Sequence, residues 1–558
     1  MPGLPFRLST HYSYAVSAAL LIGLADAATV AGHVAGADRT FRYIPPRLWL
    51  VAPLCWVAMA VFLMIPALVI ARRQAATLVV TALLLFGIFA RMERAWTPVR
   101  GVIAVLLGIA ACWAVWRIGQ LWLARPRPAA AVTATAVVVA LGAVLLLTGR
   151  GTEPARPVSV AALPDAPNVV IVILDTVGHD ALVEAPPPNV ARLARASVVF
   201  DRAYAQAPWT LPSHLSAFTG IPAQSLGIDF DQQSYTRSTP TLAEVYRRRG
   251  YRTAAVISNP FANRGSGLQR GFDVYEHAGN ALEICRTAAG MFADRHWTWF
   301  AATVCNWSAS EVTGRLLAQM RDERRPYFLV ANYMDAHNPY YVEPRCRPAG
   351  YEQPDQSDTP PAEYRRRYYP SHLAAIACID RDLGSILDTT RRSKRPTLFV
   401  LVADHGEHFG EKGLERHGNS LYAQLLHVPL IVNAPWLAPA HVSVPLDLIQ
   451  FPSIVNAAVS KSPLPSPLPI ATAVLIPQRV VSFNRWWSVI AGRWHLVVHD
   501  PGREEFFDML ADPSESAPMP ATRVPSEVAA RLRSEVQHLR STAAPDRGEF
   551  FRSLGYVQ

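Results

Sequence analysis

The pattern of apolar and polar positions splits the chain into two regimes. Up to about residue 149 it consists of long apolar runs separated by short charged stretches, at roughly residues 14–36, 48–70, 75–90, 101–122 and 129–148. A bilayer core of ~30 Å takes ~20 helical residues to cross, so these runs predict about five membrane helices. The third, "AATLVVTALLLFGIFA", is at the short limit. One apolar run would suffice for a cleaved signal peptide, and there are five. Asp26, inside the first run, is costly at membrane depth; a functional role, a bundle interior and an interface position all fit it.

From about residue 150 the periodicity shortens. A Pro-rich linker over 150–167 leads into "NVVIVILD", a continuous apolar run of the kind that forms a strand buried on both faces. "TPTLAEVYRRRG" then "YRTAAVIS" reads as helix, glycine stop, strand. "SEVTGRLLAQMRDERR" then "PYFLVANYMDAH" repeats that order, and so does a helix near 362–390 followed by "PTLFVLVADHGE". Such alternation predicts a mostly parallel sheet between helices over 168–470. Past 470, "RVVSFNRWWSVIAGRWHLVVHD", "REEFFDML" and "PSEVAARLRSEVQHLRS" predict short antiparallel strands and a closing amphipathic helix. Residues 471–558 thus form a small α+β subdomain.

Composition changes the picture in two places. The net charge of +10 is carried by scattered arginines, not by one basic tract, which argues against nucleic acid as a partner. Arginine counts in the loops between apolar runs do not choose an orientation. Of six cysteines, Cys55 and Cys112 fall in apolar runs and read as packing residues. In an oxidising compartment the other four make two disulfides, with sequence neighbours paired (Cys285 with Cys305, Cys346 with Cys378). Free buried thiols are the other reading.

Chemistry enters at the strand ends, because ligands of parallel sheets bind beyond the carboxyl edge. "NVVIVILD" ends in Asp175, "PYFLVANYMDAH" in Asp335 and His337, and "PTLFVLVADH" in Asp404 and His405. A lone carboxylate there is commonly a helix cap. Asp175, Asp404 and His405 together suit one divalent cation. Carboxylate oxygen plus imidazole nitrogen favours zinc or manganese over calcium or magnesium. "APWTLPSHLSAFTG" reads as a loop entering a helix. Thr210 in it is either an N-cap or a hydroxyl that binds the metal and attacks an ester. His214, His337 and His417 are candidates for holding substrate oxygens or moving a proton; His408 and His427 are read as structural.

These residues resemble the sulfatase-like branch of the alkaline phosphatase superfamily. The likeness runs in order through "NVVIVILDTVGHD", "APWTLPSHLSAFTG", "YMDAHNPY", "VADHGEHFGEKGLERHGNSLYAQLLHVPLIV", "EFFDMLADPSE" and "LGYV". It implies an alkaline-phosphatase-like α/β domain. It puts Asp175, Asp404 and His405 at metal positions, Thr210 at the nucleophile, and His337 and His417 where substrate oxygens or the leaving group are held; His214 and Asp335 are further candidates for binding substrate. His214 stands where the sulfatase signature has arginine.

The architecture resembles phosphoethanolamine transferases and lipoteichoic acid synthases. That implies a multi-pass protein of the cell membrane with its catalytic domain on the outer, periplasmic or extracellular face. Thr210 departs from the Cys or Ser that sulfatases convert to formylglycine, and Thr176 stands where many of them have a second Asp. The expected activity is therefore hydrolysis or transfer of a phosphate ester, a lipid headgroup among the candidates, through Thr210. A sulfatase working without formylglycine and a catalytically silent membrane scaffold are the alternatives.

Overall fold

In a computed structural model, the described residues are 165–229, 234–278, 307–355, 359–475, 485–500 and 502–543, with isolated helical positions between 15 and 83. Among the described residues no helix is long and apolar enough to cross a membrane. The five apolar runs, Asp26, Cys55, Cys112, Cys285, Cys305 and the closing "LGYV" lie wholly or almost wholly outside the described residues. The elements below all belong to one compact unit.

The main sheet is built from β1 (Asn168–Leu174), β2 (Val198–Tyr204), β3 (Arg252–Ile257), β4 (Val274–His277), β5 (Tyr327–Tyr333) and β6 (Thr397–Ala403). After a small hairpin, β7 (His408–Phe409) and β8 (Glu415–Arg416), it is completed by β9 (His427–Asn433), β10 (Ala440–Val442) and β11 (Leu446–Asp447). The strand order is β10-β2-β9-β6-β1-β5-β3-β4, with β11 also on β2. Every residue of β1, β5 and β6 is buried, as expected for strands covered on both faces. Helices Ala309–Met320 and Pro361–Arg392 pack on each other, as do Thr210–Thr219 and Phe451–Val459.

The sheet is mixed. β6, β1, β5, β3 and β4 run parallel, whereas β9 lies antiparallel between β6 and β2. The reason is the connection. Parallel strands need a crossover, but the segment after β6 folds back along the carboxyl edge and enters β9 from that side.

A second, four-stranded antiparallel sheet holds β12 (Ala471–Leu475), β13 (Trp486–Ala491), β14 (Trp494–His499) and β15 (Arg503–Asp508). One face, with Val474, Trp487, Val489, Leu496 and Phe506, joins the main core together with Leu532, Val536 and Leu539 of the closing helix Ser526–Thr542. The other face packs on Leu421, Tyr422 and Leu426. Cys346 and Cys378 form a disulfide that ties the stretch after β5 to the Pro361–Arg392 helix.

Candidate active site

The parallel strands deliver their ends to one edge, and the polar side chains meet there. Asp175 follows β1, Asn259 lies just beyond β3, His337 beyond β5, and Asp404 and His405 follow β6. Thr210 arrives on the loop after β2. It is the first residue of its helix; the N-cap is Trp209, which makes no side-chain cap. The capping reading of Thr210 is thereby excluded. Its Oγ1 accepts a hydrogen bond from Asn259 Nδ2 at 3.0 Å and lies 3.5 Å from His405 Nε2. The helix ends at Gly220, whose φ of 71° is the left-handed C-cap glycine favours.

The carboxylates are arranged for a cation. Ligand atoms of Asp175, Asp404 and His405 all lie within 4.8 Å of one another. Asp175 is no helix cap: its Oδ2 accepts from Asn259 Nδ2 (2.7 Å) and Asn332 Nδ2 (3.2 Å). Asp404 Oδ1 accepts from the N–H groups of His405 (2.9 Å) and Thr176 (3.3 Å). Asp175 Oδ1 and Asp404 Oδ2 are buried and have no hydrogen-bond partner. Orphaned buried carboxylate oxygens are what a bound cation satisfies.

Thr176, a β-branched residue at φ 60°, is strained, and that turn aims its N–H at Asp404. His405 Nδ1 donates to Gly406 O at 2.9 Å, which leaves Nε2 as the lone-pair nitrogen facing Thr210. These residues fit one divalent ion.

Electrostatics follow from burial and charge. Burial raises the Asp175 carboxyl, but His337, His405 and His214 together with the Asn259 hydrogen bond outweigh it and hold it below the ordinary range. Burial and then the Asp175 charge push Asp404 well up. Two carboxylates this close do not both ionise without a compensating cation. Burial, then His417, lowers His405 to about 3.

The remaining histidines divide. His214 Nδ1 donates to Thr210 O at 2.9 Å and sits 3.4 Å from Asp404 Oδ2, so it is built into the cluster. His337 and His417 form the solvent-facing rim, with ring centroids 4.9 Å apart, and His417 lies 4.5 Å from His405. His417 Nδ1 donates to Glu407 Oε1 at 2.8 Å. Burial opposes the charge on His417, but Glu407 wins and raises its pKa. Asp335 turns elsewhere: its Oδ1 accepts from Ala309 N at 2.8 Å in the first turn of the Ala309–Met320 helix. Burial raises it to about 7.

Asn259 and Asn332 escape a reading confined to carboxylates and imidazoles at strand ends, and that reading also passes over Glu407. The same edge rule applied to amides finds Asn259 in "YRTAAVISN". Glu407, two residues past His405, has no signal of its own until the chain folds.

Comparison with known proteins identifies the family. The pattern of the sulfatase family matches residues 167–458. The choline-sulfatase of Rhizobium meliloti (strain 1021) is 23% identical over 431 residues, covering 62% of this chain and 81% of that protein. The iduronate 2-sulfatase of Homo sapiens is 24% identical over 334 residues, covering 49% of this chain and 60% of that protein. The fold is shared with the phosphonate monoester hydrolase of Agrobacterium radiobacter (TM-score 0.52, 16% identity, 67% of this chain and 95% of that one). It is shared too with a protein solved in complex with its substrate D-glucosamine-2-N,6-O-disulfate (TM-score 0.53, 17% identity, 68% and 97%). With a family match over more than half its length, the chain belongs to the sulfatase family and is a sulfatase-like hydrolase.

Proposed function

We propose that this chain is a metal-dependent sulfuric-ester hydrolase whose nucleophile is the Thr210 hydroxyl itself. The observation that carries the reading is Thr210 Oγ1 set between Asn259 Nδ2 and His405 Nε2, next to two orphaned carboxylate oxygens. A divalent ion held by Asp175, Asp404, His405 and Thr210 would lower the pKa of the hydroxyl and offset charge on the ester oxygens.

The chain's own residues supply the rest. Thr210 Oγ1 loses its proton to solvent and bonds to sulfur while the bond from sulfur to the leaving alcohol breaks. His417 gives its proton to that alcohol oxygen, and Glu407 steadies the imidazolium beforehand. In the second half, water attacks sulfur and gives a proton to His417, while the bond from sulfur to Thr210 Oγ1 breaks and that oxygen takes its proton back from solvent. His337, on the same rim, is placed to hold a non-bridging oxygen. Asn259 Nδ2 orients the attacking oxygen.

Thr210 also favours a second reading, a phosphate ester. Hydrated formylglycine, a gem-diol, has a second hydroxyl through which a sulfated adduct can eliminate, and threonine has none. The adduct must then be released by attack at the central atom, a route phosphorus also follows. The disulfide Cys346–Cys378 supports placing the domain in an oxidising compartment. With the apolar runs before it, this fits a membrane-anchored enzyme facing outward, and a lipid headgroup as one candidate ester.

The test is turnover of 4-nitrophenyl sulfate and bis(4-nitrophenyl) phosphate by the manganese- or zinc-loaded full chain, with mass spectrometry of the Thr210 peptide. A sulfo-threonine supports the first reading and a phospho-threonine the second. Turnover that persists in Thr210→Ala would overturn both.

A further inference from the structure

The strap Leu421–Leu426 leads from His417 into β9 and is buried against one face of the C-terminal sheet. That face carries apolar Ile490, Val497 and Phe507, but β13, β14 and β15 each also place a polar residue on it: Ser488, His495 and Glu505, all 5% exposed or less. Burying polar groups costs free energy unless each is paired, so their partners are informative. Ser488 Oγ lies 2.7 Å from His495 Nε2, and His495 Nδ1 lies 2.5 Å from Glu515 Oε1. With His495 Nδ1 turned to Glu515, its Nε2 faces the Ser488 hydroxyl. Glu515, fully buried at φ 52°, then uses Oε2 to accept the N–H of Ala423 at 2.9 Å. Gln424 Nε2 donates to Ser514 O (2.6 Å), and Tyr422 OH to Glu505 Oε2 (2.7 Å).

The strap touches the active site at its other contacts. A Cβ on Gly406 would meet Gln424 O at 2.0 Å, and the Gly406 N–H donates to Leu425 O at 2.8 Å. The turn that carries Asp404 and His405 therefore rests directly on the strap backbone. Gly418 N donates to Pro208 O (2.9 Å), tying the residue after His417 to the loop before Thr210. Ser420 Oγ lies 2.7 Å from His408 Nε2, three residues beyond His405.

We propose that Glu515, through the Ser488–His495–Glu515 relay and the Ala423 N–H, is a positioning residue of the active site that sets His417 and the Asp404–His405 turn. This rests on the reading of those residues as the site. It gives the "DPSE" segment of the C-terminal subdomain a part in catalysis although it lies outside the cluster. Displacements of ~1 Å at a reacting group cost up to ~10²-fold in rate.

The experiment compares the full-length chain with Glu515→Ala, Glu515→Gln and Ala423→Pro. Proline fits the first position of the short helix, because Tyr422 before it is already extended; it removes the N–H and sets its ring Cδ against Glu515 Oε2, so the contact is broken. Glutamine keeps an oxygen for Ala423, and His495 can change tautomer to accept its amide. Two readouts are taken: amide hydrogen exchange at Gly406 and Gly418, and kcat and KM on 4-nitrophenyl sulfate and bis(4-nitrophenyl) phosphate with manganese.

The expected result is faster exchange at both glycines and kcat down ~10-fold or more with KM little changed in Glu515→Ala and Ala423→Pro. Glu515→Gln restores most of it. Adding Glu515→Ala to a His417→Ala background should cost much less than in the wild type. Unchanged exchange and kcat in folded Ala423→Pro, or fully additive effects with His417→Ala, would overturn the proposal. If the wild type turns over neither ester the functional reading fails, and the exchange data alone then decide the positioning.

Discussion

Asn259 Nδ2 donates at once to Thr210 Oγ1 at 3.0 Å and to Asp175 Oδ2 at 2.7 Å. Its backbone N–H is fixed in turn by Asn332 Oδ1 at 3.0 Å, so one amide from β3 links the proposed nucleophile to a proposed metal carboxylate. An amide held this rigidly keeps its geometry when charge develops on the oxygen it faces. Asn259→Ala should therefore lower kcat ~10–10²-fold with metal affinity nearly unchanged. Steady-state kinetics paired with calorimetric manganese titration checks the split; loss of metal binding in step with activity would reassign Asn259 to the ion.

Thr210→Ala should abolish turnover, by at least ~10³-fold, while binding of the cation persists through Asp175, Asp404 and His405. Thr210→Ser keeps the hydroxyl and should keep measurable activity. Equal rates for the alanine variant and the wild type would remove Thr210 from the chemistry.

Chelation should inactivate the enzyme, and zinc or manganese should restore it. Asp404→Asn leaves the fold its hydrogen bonds to His405 and Thr176 partly intact but removes an ionisable ligand. It should weaken metal binding by an order of magnitude or more, ~1.4 kcal/mol per tenfold. Metal content measured after dialysis would show no deficit if Asp404 were not a ligand.

Glu407 is held down to about 2 against its own burial, chiefly by His417. Reciprocally it raises His417, whose acid form is the proposed proton donor. The sign is then fixed: a raised His417 keeps its proton to higher pH, and activity falls as pH climbs through that value. Glu407→Gln should lower kcat and move the alkaline limb of the kcat profile to lower pH. A limb that stays in place would detach Glu407 from His417's titration.

Asp335, lifted to about 7 by burial, is paired with a helix N–H instead of the catalytic cluster. A group raised in the folded state stabilises most below its unfolded value near 4, and that contribution is lost as pH rises toward 7. Asp335→Asn keeps the acceptor for Ala309. It should leave kcat/KM within a few-fold and add on the order of 1 kcal/mol at pH 8 with no gain at pH 4. Denaturant melts at the two pH values test the stability, and a large loss of kcat/KM would return Asp335 to the substrate site.

Periodicity and strand-end rules carried much of the fold and part of the site. Unbroken apolar runs mark strands buried on both faces, and a parallel sheet must present their carboxyl ends together. Asp175, Asp404 and His405 are legible for that reason, as is the amphipathic helix that closes the chain. What the linear order does not contain is direction and partnership. β9 runs antiparallel because the strap before it returns along the edge, a feature of the path rather than of the residues in the strand. Asp335 and His337 stand two positions apart, yet one caps a helix while the other meets His417; only the backbone's turn after β5 separates them. Its own stretch leaves Thr210 open to both the cap and the nucleophile reading, and packing supplies Asn259 from 49 residues away. The apolar pattern is a local property, and hydrogen bonds between distant segments exist only once the sheet has brought their ends to one place.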